Sequence, residues 1–329
     1  MAPFPLGIMA LAGAGGFTPP GDTWTYYTSP ISSSGDVYYD PTFQKWYVGP
    51  RGSGNIYSST DGTTWTNNGI STNYNAGKFQ RANGKLFFNA AYNPQGSPQS
   101  GYHYTTDGSN WNNNSGPFSG MGRPAEDNYG NYVASKQESN YSDYYATSTN
   151  GLTWVVSSTP QANDSYGNFS AGIFSCWSDY SYVYRAFAGS LASAVAVPSG
   201  NAYGYSFLLS DKITYLWDGS WSGNSRLWTF DGTTFTQVGV ARPVATTYEI
   251  GVSIAIVGEA LLPGEFMANF ATGYTSVNDA RLYTPKYGHK YVLSYYPDAY
   301  GAAYSPDANM YLTRSGSVSG SYYIMKSIG

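Results

Sequence analysis

A short turn motif returns along this chain at intervals of about forty residues, and that return limits the fold more than any other feature. Four copies are complete: Ser59-Thr60-Asp61-Gly62-Thr63-Thr64-Trp65, Thr105-Thr106-Asp107-Gly108-Ser109-Asn110-Trp111, Ser148-Thr149-Asn150-Gly151-Leu152-Thr153-Trp154 and Thr229-Phe230-Asp231-Gly232-Thr233-Thr234-Phe235. A half-copy, Gly21-Asp22-Thr23-Trp24, precedes them. Trp24, Trp65, Trp111 and Trp154 are spaced by 41, 46 and 43 residues, and Phe235 follows 81 residues later, close to two periods. One degenerate unit is therefore expected between the third and fourth copies.

Each copy has a mechanical reading. Gly accepts positive φ, and Asp or Asn bonds the backbone two residues on, so Asp-Gly and Asn-Gly mark hairpin turns. The preceding Ser or Thr can satisfy more of the turn's amides. The aromatic residue opens the next strand, placed to pack between neighbouring sheets. Around the first copy the rest of a unit is legible: Asp36-Val37-Tyr38-Tyr39, Lys45-Trp46-Tyr47-Val48, Asn55-Ile56-Tyr57-Ser58 and Thr64-Trp65-Thr66 read as four strands. The second unit repeats them with Lys78-Phe79-Gln80, Lys85-Leu86-Phe87-Phe88, Tyr102-His103-Tyr104 and Asn110-Trp111.

Four strands per forty-odd residues is the period of a β-propeller blade. The fold expected is all-β: a single propeller of four-stranded blades over residues 17–329, preceded by an extended apolar N-terminal arm at residues 1–16. The length accommodates about seven blades, with six or eight compatible. Residues 160–228 and 240–290 are degenerate, and the run at 250–262 is compatible even with a short helix rather than a strand. The C-terminal unit offers Lys290-Tyr291-Val292-Leu293, then Ala303-Tyr304-Ser305 or Met310-Tyr311-Leu312, then Tyr322-Tyr323-Ile324-Met325. It lacks a strand following a turn motif. Residues 22–26 supply one, and pairing them with residues 322–325 would remove two exposed edges.

The four motifs resemble the Asp-box, or BNR, repeat of sialidase-like β-propellers. In that family the box sits at the outer side of a blade, away from the central site. The resemblance therefore implies structural roles for Asp61, Gly62, Trp65, Asp107, Gly108, Trp111, Asn150, Gly151, Trp154, Asp231, Gly232 and Phe235. Sialidases hold the substrate carboxylate with three arginines and use an Asp acid/base and a Tyr–Glu pair. Arg51, Arg123, Arg185, Arg242, Arg281 and Arg314 are available, but no Arg-Ile-Pro-like segment precedes the first motif. Tyr248-Glu249 is the only adjacent Tyr/Glu pair, and adjacency on a strand sends two side chains to opposite faces. With five glutamates and scattered aspartates, no glycosidase carboxylate pair is identifiable. No catalytic residue is assigned.

Composition narrows the partners. Charged residues are 11% of the chain, well under the usual quarter, while aromatics reach 18% with 34 tyrosines. Low charge with abundant aromatics indicates an ordered chain with a Tyr/Ser/Asn/Gly surface suited to adhesion and assembly. The net charge of −4 and the lack of a Lys/Arg cluster argue against nucleic acid. With Cys176 alone and only His103 and His289, no cofactor or Cys/His metal site is expected.

The first sixteen residues, MAPFPLGIMALAGAGG, carry no Lys or Arg before their apolar run, unlike a secretory signal, and are too short to span a membrane. Phe4, Leu6, Ile8, Met9 and Leu11 make this arm a candidate docking element. Together the arm, the uncharged body and the near absence of cysteine resemble bacteriophage virion proteins, particularly tail-associated ones. That resemblance implies a non-enzymatic structural component of a virus particle, assembled in the host cytoplasm and docking to another virion protein through residues 1–16. The alternative is a carbohydrate-binding, or less readily sialidase-like, propeller used for host-surface recognition. Its candidate glycan-stacking residues are Tyr92, Tyr141, Trp177, Trp217 and Trp221, each expected in a loop beside polar residues.

Overall fold

The segment Lys45-Trp46-Tyr47-Val48 shows why the strands alternate so poorly in sequence. Trp46 and Val48 bury against Leu312, Ile324 and Ala303, while Tyr47 turns the other way and buries against Phe79, Leu86 and Phe88. Both faces of this strand are interior, so both parities must be apolar. The second unit repeats the arrangement: Leu86 and Phe88 face back toward Tyr47, and Phe87 faces forward to Tyr132 and Ala134.

The computed structural model describes residues 25–33, 35–50, 52–73, 77–90, 100–119, 124–127, 129–137, 142–158, 162–163, 168–170, 173–178, 181–196, 203–208, 214–219, 224–243, 249–256, 266–272, 278–284, 288–293, 297–305, 307–308, 310–315 and 322–328. Among the described residues there is no helix, and the strands form seven antiparallel sheets. The first holds Gly35–Asp40, Lys45–Pro50, Ser53–Ser59 and Thr66–Asn73 in that order. The second holds Gly77–Ala82, Lys85–Ala90, Ser100–Thr105 and Trp111–Ser119. The third runs Ala125–Glu126, Tyr132–Gln137, Ser142–Ser148 and Val155–Val156, and Ala162–Asn163 also pairs with Ser142–Ser148. The fourth comprises Asn168–Ser170, Ile173–Ser178, Ser181–Ala186 and Val195–Ala196. The fifth is Tyr203–Leu208, Thr214–Gly219, Asn224–Phe230 and Phe235–Pro243, and the sixth Glu249–Ile256, Phe266–Thr272, Asn278–Thr284 and Gly288–Leu293. The seventh is Pro297–Ser305, Met310–Ser315 and Tyr323–Ile328, completed on its outer edge by Thr25–Thr28 from the other end of the chain.

The first strands of successive sheets are neighbours, and that of the seventh returns to that of the first. The sheets are thus blades around an axis. Cores lie between blades: Ile31, Val37 and Trp46 against Met310, Leu312 and Ile324; Tyr47 and Ile56 against Phe79 and Phe88; Phe87 and Tyr102 against Tyr132, Ala146 and Trp154.

Three local expectations change. Residues 249–256 form a strand, because the alternation Ile250, Val252, Ile254, Ile256 is β-periodic and β-branched. Lys290-Tyr291-Val292-Leu293 is the outer strand of the sixth blade rather than part of the last, whose own strands are the Ala303 and Met310 segments. Trp177 and Trp217, expected in loops, sit inside Ile173–Ser178 and Thr214–Gly219, opposite Tyr182 and Leu227. Their polar neighbours Ser178 and Asp218 are themselves strand residues. At the seam, Thr25, Tyr26, Tyr27 and Thr28 pair with Lys326, Met325, Ile324 and Tyr323; residues 22–24 and the arm lie outside the described residues.

Gly108 and Gly84 separate two reasons for glycine. Both have positive φ, of 75° and 79°. A Cβ on Gly108 would meet the Phe43 ring and the Tyr47 hydroxyl at 2.7 Å, whereas one on Gly84 would meet nothing within 4 Å. Gly84→Ala should cost about 1 kcal/mol, the left-handed penalty alone. Gly108→Ala should add an overpacking cost of about 1–3 kcal/mol. Urea melts that rank the two equally would show that the seam yields around Gly108.

Candidate functional site

The four Asp/Asn-Gly turns connect the third and fourth strands of the first, second, third and fifth blades. In the first, Asp61 Oδ1 accepts from the amides of Thr63 and Thr64 at 2.8 and 2.7 Å and from the Ser59 hydroxyl at 2.9 Å. Ser59 Oγ in turn accepts from the Gly62 amide at 2.9 Å. The second turn repeats this with Asp107, Ser109, Asn110, Thr105 and Gly108, and the third with Asn150, Leu152, Thr153, Ser148 and Gly151. In the fourth, Asp231 accepts from Thr233 and Thr234, both at 2.8 Å. Asn150 does the same work as an aspartate because the bonds need one oxygen, not a charge.

These bonds favour the ionised carboxylates. The Thr64 amide, before others, holds Asp61 well below the usual range; the Asn110 side chain does so for Asp107, and the Thr233 amide for Asp231. An acid held this firmly ionised is a poor proton donor.

The turns are also where blades join. The Gly108 carbonyl accepts from Tyr47 Oη at 2.9 Å and from Lys45 Nζ at 3.2 Å, both in the preceding blade. Lys85 Nζ reaches the Asn150 carbonyl at 3.0 Å, and Lys326 Nζ the Asp61 carbonyl at 3.0 Å across the closing seam. The Gly151 carbonyl accepts from Tyr102, whose oxygen also receives Asn114 Nδ2 at 2.7 Å and Trp154 Nε1 at 3.1 Å. The tyrosine thus comes from the second strand of the first blade but from the third strand of the second blade. Phe87 stands where Tyr47 would, and Ile56 where Tyr102 would. Accordingly the buried Asn68 Nδ2 and Trp111 Nε1 have no hydrogen-bond partner among the described residues.

Two charged contacts tie the first blade to the second nearer the axis. Asp36 Oδ2 accepts the Phe79 amide at 2.9 Å. Asp40, fully buried, caps Thr42 and Phe43 and pairs with Arg81 at 2.6 Å, while Arg81 lies over the Phe43 ring. Burial raises the Tyr38 and Tyr47 hydroxyls above their ordinary range and pushes His103 down to about 4.

The three tryptophans of the motif at 65, 111 and 154 do pack between blades. Trp65 lies against the cluster shared by the seventh and first blades, Trp111 against that of the first and second, and Trp154 in that of the second and third. Phe235 stacks on Phe230 at 4.4 Å between centroids. Sequence reasoning missed the lysine contacts, although Lys45 and Lys85 open equivalent strands and that shared position was the available signal.

Among the glycan candidates, Trp177 and Trp217 are strand residues, while Tyr92, Tyr141 and Trp221 lie outside the described residues, as do Phe4, Leu6, Ile8, Met9 and Leu11. Arg185, Arg242, Arg281 and Arg314 fall on strands of four different blades; Arg51, Arg123 and Tyr248 are outside the described residues. Among the described residues no group of three or more His, Cys, Asp or Glu is placed to hold a metal, and no helix is long and apolar enough to cross a membrane.

No protein-family model matches the chain, and no curated protein matches it in sequence. Solved structures do match. The β-propeller domain of Myceliophteria thermophila Swd1 superposes with a TM-score of 0.60 at 8% identity, covering 92% of this chain and 99% of that one. YCF48 bound to D1 peptide gives 0.57 at 12%, covering 95% and 96%. Oligogalacturonate lyase in complex with manganese gives 0.57 at 9%, covering 94% and 96%. At such identities the likeness establishes the fold: the chain is a β-propeller.

Removing the Tyr102 hydroxyl deletes three hydrogen bonds at one oxygen, so Tyr102→Phe should cost about 2–3 kcal/mol. Tyr47→Phe should cost about 1 kcal/mol, because Lys45 keeps its bond to Gly108. Asp61→Ala should also cost about 1 kcal/mol, as other side-chain caps do, and less than Trp65→Ala. Chemical denaturation ranks all four. Acid sensitivity has two origins of the same sign. His103 binds its proton less readily folded than unfolded, so its contribution is complete above about pH 6.5 and is lost as pH falls toward 4. The turn carboxylates contribute above about pH 4 and lose it below. His103→Gln should therefore flatten the fall in Tm between pH 6.5 and 4 and leave the fall below pH 4 in place.

Proposed function

We propose that the protein is a non-enzymatic structural component of a bacteriophage particle, in the tail or another external appendage, and that its four turns are Asp-boxes of the sialidase-like type serving as fasteners. The observation that carries this reading is how the turn carboxylates are used. Asp61, Asp107 and Asp231 accept backbone amides and are held ionised, so they lock loops and offer neither acid nor base to a substrate. Asp36 and Asp40 are spent between blades. A ring fastened in this way, with few charges and a Tyr/Ser/Asn-rich exterior, suits a part that is built into a larger body. In this reading Phe4, Leu6, Ile8, Met9 and Leu11 dock on another virion protein, and the chain is assembled in the host cytoplasm without cofactor, metal, nucleic acid or membrane insertion.

A second reading, carbohydrate binding for host attachment, draws on Tyr129. Its side chain is 70% exposed. Asp127 accepts the amides of Tyr129 and Asn131 at 2.9 Å each, bracing the backbone beside it. An exposed ring on a braced turn suits stacking on a sugar.

Deleting residues 2–16 should leave a soluble propeller with an unchanged melt that no longer joins its assembly; a deletion mutant that unfolds would sink the docking role. A glycan array and a fluorogenic sialoside assay should both be blank. Array binding abolished by Tyr129→Ala would move the conclusion to the second reading, and sialoside turnover lost on mutating a central arginine would overturn both.

A further inference from the structure

We propose that Asn83 is a modification site: the Gly84 nitrogen attacks its side chain, ammonia leaves, and the aspartate or isoaspartate that results unties the second blade from the third. This inference stands apart from the proposed function and does not need it.

Asn-Gly occurs at Asn68-Gly69, Asn83-Gly84 and Asn150-Gly151. A glycine that follows asparagine leaves its own nitrogen open to the preceding side chain, so the sequence ranks the three together. The fold separates them. The Gly151 amide is buried and donates to Ser148 Oγ at 2.8 Å, while Asn150 Oδ1 accepts from the Leu152 and Thr153 amides at 2.8 and 2.9 Å. The Gly69 amide donates to Asn67 Oδ1 at 2.8 Å, and Asn68 Oδ1 accepts from the Ser58 hydroxyl at 3.0 Å. Asn68 and Gly69 also lie inside the strand Thr66–Asn73, so opening there breaks a ladder. At both steps the attacking nitrogen is already a hydrogen-bond donor, and the side chain it would attack is held.

Gly84 differs. Its amide has no hydrogen-bond partner among the described residues. It is exposed at the tip of the tight turn that joins Gly77–Ala82 to Lys85–Ala90, where a Cβ would meet nothing within 4 Å. Asn83 and Gly84 have φ of 41° and 79°, as a tight hairpin turn of this kind requires. Two bonds to the third blade hold Asn83: its Nδ2 donates to the Gly130 carbonyl at 2.9 Å, and its own carbonyl accepts from Tyr132 Oη at 2.8 Å. Releasing these opens the turn tip and lets the side chain reach the Gly84 nitrogen. The strands below stay paired, so this is a local opening.

The chemistry needs only water. A bond forms between Gly84 N and Asn83 Cγ as the Cγ–Nδ2 bond breaks. The Gly84 proton leaves with Nδ2 as ammonia, and a succinimide ring remains. Water opens the ring at Cγ to give aspartate, or at the Asn83 main-chain carbonyl to give isoaspartate. Either product replaces the amide donor with a carboxylate, which only accepts and so loses the bond to the Gly130 carbonyl. Isoaspartate also adds a methylene to the main chain, which the tight turn does not accommodate.

The test holds the full chain, folded and separately unfolded in urea, in mildly alkaline buffer made with heavy-oxygen water. Samples taken over weeks are digested briefly in acid and mapped by mass spectrometry, so that heavy oxygen marks only residues hydrolysed during the incubation. In urea the three steps should convert at similar rates. In the folded chain Asn83 should convert more than about tenfold faster than Asn68 or Asn150, the factor that one or two ordinary hydrogen bonds supply. Both the aspartate and the isoaspartate peptide should appear. Gly84→Ala should suppress conversion at Asn83 alone. Asn83→Asp, which carries one product from the start, should melt below the parent chain. An Asn83 that stays intact in the folded chain while converting in urea, or that converts no faster than Asn68 and Asn150, overturns the site. Conversion unaffected by Gly84→Ala overturns attack by the neighbouring nitrogen, and an unchanged melt for Asn83→Asp overturns the untying of the blades.

Discussion

A backbone carbonyl at the tip of a turn, offered to the neighbouring sheet, ties the blades together at the joints around the first three turn motifs. The turn can offer it only because its amides are already consumed by Asp or Asn and by the Ser or Thr three positions before the glycine. With the amides satisfied internally, the Gly108 and Gly151 carbonyls point outward and take a tyrosine hydroxyl from the preceding blade. The lysines that open the second strands add a charge-assisted bond to the same turns, Lys45 at the Gly108 carbonyl and Lys85 at the Asn150 carbonyl. Lys326 makes the equivalent bond across the seam from a third strand. Local turn chemistry and the fastening of blades are one arrangement, not two.

Much of this was legible in residues. The turn motif, its period and the strands around its first two copies come from short-range chemistry: Gly at positive φ, an Asx oxygen two residues back, an aromatic opening the next strand. The inter-blade interfaces were not legible, because a strand buried on both faces loses its alternation. Nothing local distinguishes Trp46, facing back, from Tyr47, facing forward. Units without the motif were hardest. In the fourth blade the corresponding turn closes around Phe187 and Leu191 with Gly189 at positive φ and no Asx cap, so its period was invisible. Trp177 and Trp217 misled for a related reason: polar neighbours suggest loops, yet in an uncharged, serine-rich propeller polar residues are ordinary strand residues.

The scarcity of charge has a physical counterpart in the structure. Between the first and second blades, charges near the axis are engaged across the joint, Asp36 on the Phe79 amide and Asp40 with Arg81. Removing one partner of a buried pair costs far more than the pair contributes. Such contacts therefore specify which blade lies beside which, more than they add stability.

The exchange of roles between Tyr47/Ile56 and Phe87/Tyr102 bears on how a chain of this kind can grow. Each hydroxyl is donated by one unit and received by the next, so the information for a joint is divided between two units. Tandem duplication of the first unit would repeat the joint in which Ile56 stands where Tyr102 would, leaving the counterparts of Asn68 Nδ2 and Trp111 Nε1 unpaired at every new joint. Copying units in pairs would preserve the joint between them.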